Sequence, residues 1–260
     1  MYDYLKFIIK IMDQKTVIIT GGNRGIGYDI TQSFIDAGYH VVVGARNESG
    51  LSDKFGEKVT FIKIDVRKES DHRLLTETAI KKTGRLDCYV NNAGFSEWRP
   101  IEQIDEWFLN NLLDTNLKGA FWGCKAASAV LQAGGTIINI SSIAGKRGSS
   151  NNSAYVASKF GMNGLTQSLA KEIGPRQIRV NALCPVLIPT DGLIDALLSP
   201  FSPAKGDSKG FISKFALDNA ALKRLPTGAE VGSMCVFLAS DAASAITGQC
   251  INVDCGVLPQ

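Results

Sequence analysis

Seven short apolar runs, each continuous and not alternating, constrain this chain more than any other feature. They lie at 16–20 (TVIIT), 40–44 (HVVVG), 59–64 (VTFIKI), 86–90 (LDCYV), 136–140 (TIINI), 179–183 (RVNAL) and 250–253 (CINV). Continuous apolar runs of this length suit strands covered on both faces. Helical patterns separate them at 25–37, 70–83, 104–132, 153–172 and 228–239. Strand, helix and strand in repetition predict an α/β fold: a doubly wound parallel sheet of about seven strands with helices on both faces. No linker of low complexity divides it, so 15–260 reads as a single domain. Residues 1–14 read as an N-terminal extension, whose longest apolar run is too short for a signal core or a spanning helix.

Composition narrows the function classes. The net charge is +3, and no basic block accompanies it, so nucleic-acid binding is not expected. The chain has two histidines and six cysteines, none in a CxxC pair, so no metal site is expected. Cysteines scattered inside apolar runs read as small core residues in a reducing, cytoplasmic compartment.

The segment Thr20-Gly21-Gly22-Asn23-Arg24-Gly25-Ile26-Gly27 joins the first strand to the first helix. Glycines allow a sharp turn and close approach to a pyrophosphate, and the helix start presents free N–H groups to it. This placement marks a Rossmann-type dinucleotide site. After the second strand such sites carry an acid that reads the ribose 2′-hydroxyl. Here the residues are Gly44-Ala45-Arg46, with no acid before Glu48. Arg46 and Arg24 are either solvated surface charges or a clamp for a 2′-phosphate. Their positions and the missing acid favour NADP(H).

Ser142, Tyr155 and Lys159 form a second constellation. Tyr155 and Lys159 are four apart and share a helix face. Ser142 follows the fifth strand, at the carboxyl edge where open α/β sheets bind ligands. A carbonyl receiving hydride needs a proton donor, and a free phenol titrates near pH 10. A nearby ammonium and the oxidised nicotinamide favour the phenolate. Alone, Tyr-x-x-x-Lys is a frequent helical coincidence; its weight comes from the glycine loop and the serine.

These motifs together resemble the short-chain dehydrogenase/reductase family, in the branch with a TGxxxGxG loop and a Tyr-x-x-x-Lys pair, from about Lys15 to Gly256. The resemblance implies catalytic roles for Asn116, Ser142, Tyr155 and Lys159, with Ser142 and Tyr155 also binding the substrate. Asn116 would support a proton relay. For the cofactor it implies Gly21, Asn23, Arg24, Gly25, Ile26, Gly27 and Arg46 at the phosphates. Asp65 and Val66 would lie at the adenine, and Asn92, Ala93 and Gly94 beside the ribose. Tyr155 and Lys159 would contact the nicotinamide ribose, and Pro185, Ile188 and Thr190 the nicotinamide. It also implies helices 104–132 and 153–172 pairing across subunits, in a homotetramer or homodimer.

Two positions depart from the family pattern: Val186 and Cys255 stand where glycine is common. A β-branched residue at 186 would restrict the backbone and narrow the pocket. Residues 191–224, with prolines and glycines beside leucines and phenylalanines, read as a substrate lid. The expected activity is hydride transfer between NADP(H) and a carbonyl or secondary alcohol. A 3-oxoacyl-(acyl-carrier-protein) substrate and a keto sugar are alternatives. A non-enzymatic sensor or scaffold would not require the full catalytic set.

Overall fold

The strands stack in the order β3-β2-β1-β4-β5-β6-β7, every neighbouring pair parallel. In this computed structural model, which describes residues 14–259, they run β1 Thr16–Thr20, β2 His40–Ala45, β3 Val59–Lys63, β4 Cys88–Asn91, β5 Thr136–Ile140, β6 Arg179–Pro185 and β7 Cys250–Val253. All seven expected strands are present. The expected extension, apart from Gln14, lies outside the described residues.

The apolar runs are continuous because both faces of the sheet are covered. Val17, Ile19, Val41, Val43 and Val90 point to one side, against Ile30 and Phe34 of α1 (Gly25–Asp36) and Val231, Cys235 and Leu238 of the last helix, α9 (Gly228–Leu238). Ile18, Val42, Tyr89, Ile137 and Val180 point to the other side. There they meet α3 (Glu69–Thr83), α5 (Gly119–Val130) and α6 (Ser153–Ile173) through Leu75, Ala127 and Ile173. Alternation along each strand thus feeds two cores in place of one core and solvent. A short helix that the apolar pattern does not announce, α2 (Leu51–Phe55), follows β2.

The expected single helix over 104–132 differs in one respect. It begins as α4 (Glu106–Leu113), passes through a π-helical turn at Asp114–Lys118, and continues as α5. The wider turn carries Asn116, fully buried, and such turns are frequent at functional sites.

Residues 191–224 form two helices, α7 (Asp191–Leu197) and α8 (Ser208–Asn219), with turns between them. Leu197, Phe201 and Phe211 pack around Trp98, which lies in the loop after β4. The Ser199 hydroxyl donates to Trp98 O at 3.3 Å, and Asn151 Nδ2 donates to Phe201 O at 3.1 Å. The segment therefore bridges loops that follow two different strands.

Candidate active site

Strand order reverses between β1 and β4, so the chain leaves these two strands in opposite directions and opens a crevice at their carboxyl ends. A cleft of 1370 Å³ fills it, running from the glycine loop to α7 and α8.

At one end, the glycine loop has the form a phosphate requires. Gly21 and Gly25 have φ of +66° and +52°, a region costly for other residues. A Cβ on Gly27 would lie 2.1 Å from Gly21 O, so only glycine permits this closeness of helix and loop. No side chain caps α1, and its first turn holds no acid, which leaves its N–H groups for an anion. Arg24 and Arg46 line the cleft, exposed, and neither pairs with a carboxylate among the described residues. Asn23 Nδ2 donates to Ser49 Oγ at 3.1 Å. These features fit the pyrophosphate of a dinucleotide.

Further along, Asp65 and Val66 line the cleft after β3. Arg67 grips the Asp65 carboxylate at 2.6 Å and holds it below the usual carboxylate range. Asn92 lies beside the loop: its Nδ2 donates to Thr20 O at 3.0 Å, while the Thr20 hydroxyl accepts from the N–H groups of Asn92 and Ala93 at 3.0 and 3.1 Å. Thr20 is thus a hub joining β1 to the segment after β4, a role unassigned from sequence although its hydroxyl opens the loop. A Cβ on Gly94 would sit 3.0 Å from Asn116 Oδ1. Opposite, Thr190 caps α7 by accepting from Leu193 N at 3.3 Å, and its Cγ2 would lie 3.5 Å from a Cβ on Gly25. Pro185 closes β6, and Ile188 is buried in the core below the loop. The phosphate loop and this turn therefore face each other across the cleft.

The reacting end is equally built. Ser142 Oγ donates to Pro185 O at 3.5 Å and accepts from Ala144 N at 3.1 Å. Lys159 Nζ donates to Ile140 O at 2.8 Å and lies 5.7 Å from the centre of the Tyr155 ring. Asn116 clamps Phe95 at both ends: Oδ1 accepts from its N–H at 3.0 Å, and Nδ2 donates to its carbonyl at 2.8 Å. This clamp on a main-chain segment has no signature in the sequence.

Burial dominates and raises Tyr155 above its ordinary range, against which a hydrogen bond with Ser142 pulls it down. Burial also draws the Lys159 ammonium down to about 8. The amine spends its hydrogen bond on a carbonyl and flanks the ring.

This depression fixes a sign for stability. Below about pH 8 both folded and unfolded chains carry the ammonium, and the folded state bears its whole desolvation cost. Between there and about pH 10.5 the unfolded chain holds a proton that the folded chain has lost, so the cost fades. The stability of Lys159→Met relative to the wild-type chain should therefore decline by about 3 kcal/mol from pH 7 to pH 10.5. Denaturant titrations at the two pH values would measure it; a constant difference would mean the amine is solvated.

The two departing positions differ in their surroundings. Val186 turns into a cluster with Ile143, Ala220 and Val257, so its side chain is absorbed by packing as well as lining the cleft. Cys255 adopts φ +55°, the left-handed region that favours glycine.

A doubly wound sheet with a phosphate loop at its switch point and a serine, tyrosine and lysine in the same cleft defines a nicotinamide-dependent oxidoreductase of carbonyl and alcohol groups. A family model described as enoyl-(acyl carrier protein) reductase matches residues 21–258. A 3-oxoacyl-(acyl-carrier-protein) reductase of Chlamydia muridarum is 35% identical over 259 residues, covering 95% of this chain and 98% of that protein. An actinorhodin polyketide ketoreductase variant, solved with NADPH, superposes with a TM-score of 0.86 at 27% identity, over 95% of this chain and 98% of that one. An aldohexose dehydrogenase of Thermoplasma acidophilum gives 0.84 at 32% identity, over 96% and 98%. The chain belongs to the short-chain dehydrogenase/reductase family.

Proposed function

We propose that the protein reduces a small carbonyl compound, or oxidises the matching secondary alcohol, with NADP(H). The observation that carries this reading is the meeting of Ser142, Tyr155 and Lys159 in one cleft with the uncapped start of α1 and two unpaired arginines. Arg24 and Arg46 would hold the 2′-phosphate, and Asp65 with Val66 the adenine. Asn92, Ala93 and Gly94 would line the ribose, with Pro185, Ile188 and Thr190 at the nicotinamide. The cofactor, when bound, supplies hydride chemistry. Ser142 would orient the carbonyl oxygen, Tyr155 would give it a proton, and Lys159 would bind ribose hydroxyls of the cofactor. Asn116 fixes the Phe95 segment and supports proton resupply.

A second reading has the carbonyl on a 3-oxoacyl thioester carried by an acyl carrier protein. The Chlamydia relative bears that name at 35% identity, which favours it. Loss of NADPH absorbance with a panel of ketones and an acetoacetyl thioester tests both. Turnover is expected with NADPH ahead of NADH; no consumption with any of them would refute the enzymatic reading and leave the sensor or scaffold.

Exposed aromatic side chains support the expected assembly. Trp107 is 71% exposed, and Phe121 and Phe160 are about half exposed, on α4, α5 and α6. On these three helices they support the homotetramer or homodimer that the family resemblance implies. Sedimentation at micromolar concentration should give a dimer or larger; monomer alone would contradict it. All six cysteines are free, and no helix among the described residues is long and apolar enough to cross a membrane. Free thiols favour a reducing, cytoplasmic setting.

A further inference from the structure

Position 72 lies on the buried stripe of α3, with Leu75, Thr76, Ala79 and Thr83. Position 89 lies in β4, in the core that Ile18, Val42 and Ile137 share. Packing at both places asks only for apolar bulk. The chain instead has His72 and Tyr89, both fully buried. Imidazole Nδ1 meets the Tyr89 hydroxyl at 2.7 Å, and Nε2 lies 2.8 Å from Val66 O. A carbonyl only accepts, so Nε2 carries the proton and Nδ1 accepts from the hydroxyl. Burial lowers His72 from its ordinary range, which keeps the ring neutral at pH 7.

The carbonyl held in this way belongs to the turn after β3. Around it, Asp65 N donates to Asp71 Oδ2 at 2.8 Å, Lys68 N to Asp65 O at 2.9 Å, and Arg67 N to Asp65 Oδ1 at 3.1 Å. Adjacent side chains at the start of α3, Asp71 and His72, therefore pin two successive residues, Asp65 and Val66. Behind the Val66 carbonyl stands α5, where a Cβ on Gly119 would lie 3.1 Å from the oxygen. The Val66 N–H, by contrast, has no partner among the described residues, and Val66 lines the cleft. The turn is fixed on its inner side and keeps one donor open.

We propose that His72, backed by Tyr89, is a positioning residue for the adenine half of the dinucleotide, holding the Val66 peptide in the orientation that the base meets. This inference rests on the NADP(H) reading, in which Asp65 and Val66 adjoin the adenine. Adenine offers ring acceptors and a donor amine, the complements of an N–H and a carboxylate. Without the imidazole, Val66 O is left buried with no donor. The turn then rotates the carbonyl toward water and carries Val66 N–H and Asp65 out of place. His72 lies inside the core and touches neither Ser142 nor Tyr155, so the proton and hydride steps do not depend on it.

The test is the double variant His72→Val with Tyr89→Phe, beside His72→Gln and His72→Asn. Replacing both partners of a buried hydrogen bond by apolar groups is close to neutral for stability, so the melting temperature should stay near that of the wild-type chain. Calorimetric titration with 5′-ADP and with 2′,5′-ADP should nonetheless give a Kd about tenfold weaker for both. The KM for NADPH should rise by the same factor, with kcat and the ketone KM unchanged. The amide of His72→Gln reaches as far as Nε2 and should recover most of the affinity, whereas that of His72→Asn reaches only as far as Nδ1 and should not. Unchanged nucleotide affinities in the double variant overturn the positioning role and leave the cofactor reading standing. So does a weaker Kd accompanied by equal losses in kcat and a lowered melting temperature, which marks general loosening. Should the double variant fail to fold, equal affinities in the glutamine and asparagine variants overturn it. A wild-type chain that binds neither nucleotide nor NADPH overturns the cofactor reading, and the role of His72 falls with it.

Discussion

Tyr155→Phe should lower kcat/KM for ketone reduction by about 10³-fold or more, within the range ascribed to a positioned proton donor. The substitution removes one oxygen and keeps the ring, which packs against Phe108, Leu112 and Ala154. Stability should therefore change little, since the packing of the ring is kept. Because burial raises the phenol, Tyr155 stays protonated across neutral pH and is loaded as an acid for reduction. Alcohol oxidation needs the phenolate, so its rate in the wild-type chain should climb with pH while reduction does not. Steady-state rates for wild type and variant, with circular dichroism to confirm folding, decide the matter. Equal rates in the two proteins would remove Tyr155 from the mechanism and with it the role given to Ser142.

Some of this site is legible in the residues and some is not, for physical reasons. The seven strands are readable because two-sided burial leaves no polar alternation in the apolar runs. Their ends are less so. β6 runs on to Pro185 because Cys184 and Pro185 pair with Asn252 and Val253, a partner far along the chain. The π-helical turn at Asp114–Lys118 inserts no change of composition, so hydrophobic spacing predicts an unbroken helix over 104–132. The family resemblance singles out Asn116, but not the clamp on Phe95 that the turn permits. Tyr155 and Lys159 can be placed on one helix face from spacing alone. Their pKa directions cannot, because desolvation depends on how strands and loops close over them. Thr20 escapes for a related reason: a hydroxyl is ordinary in a loop until its partners are known.

The ribose end gives the other large effect. Arg46→Asp should cut kcat/KM for NADPH by about 10²-fold or more while improving NADH, inverting the preference. Arg46 directly follows β2, and Arg24 precedes the first residue of α1, so two guanidinium groups flank the cleft where the 2′-position is expected. The segment between β2 and α2 has one acid within reach of a ribose hydroxyl's usual place, Glu48. Its Oε1 accepts from Ser52 N at 3.2 Å at the start of α2, so it serves the helix. An aspartate at 46 would restore an acceptor for the 2′-hydroxyl and repel a phosphate at the same site. The arginines are exposed, so salt should weaken NADPH binding more than NADH binding in the wild-type chain. In Arg46→Asp most of that difference should vanish. Fluorescence titration of both cofactors at two ionic strengths separates the electrostatic contribution from loop geometry. An unchanged NADPH-to-NADH ratio in the variant would mean that Arg46 is a solvated surface charge and that something else reads the ribose.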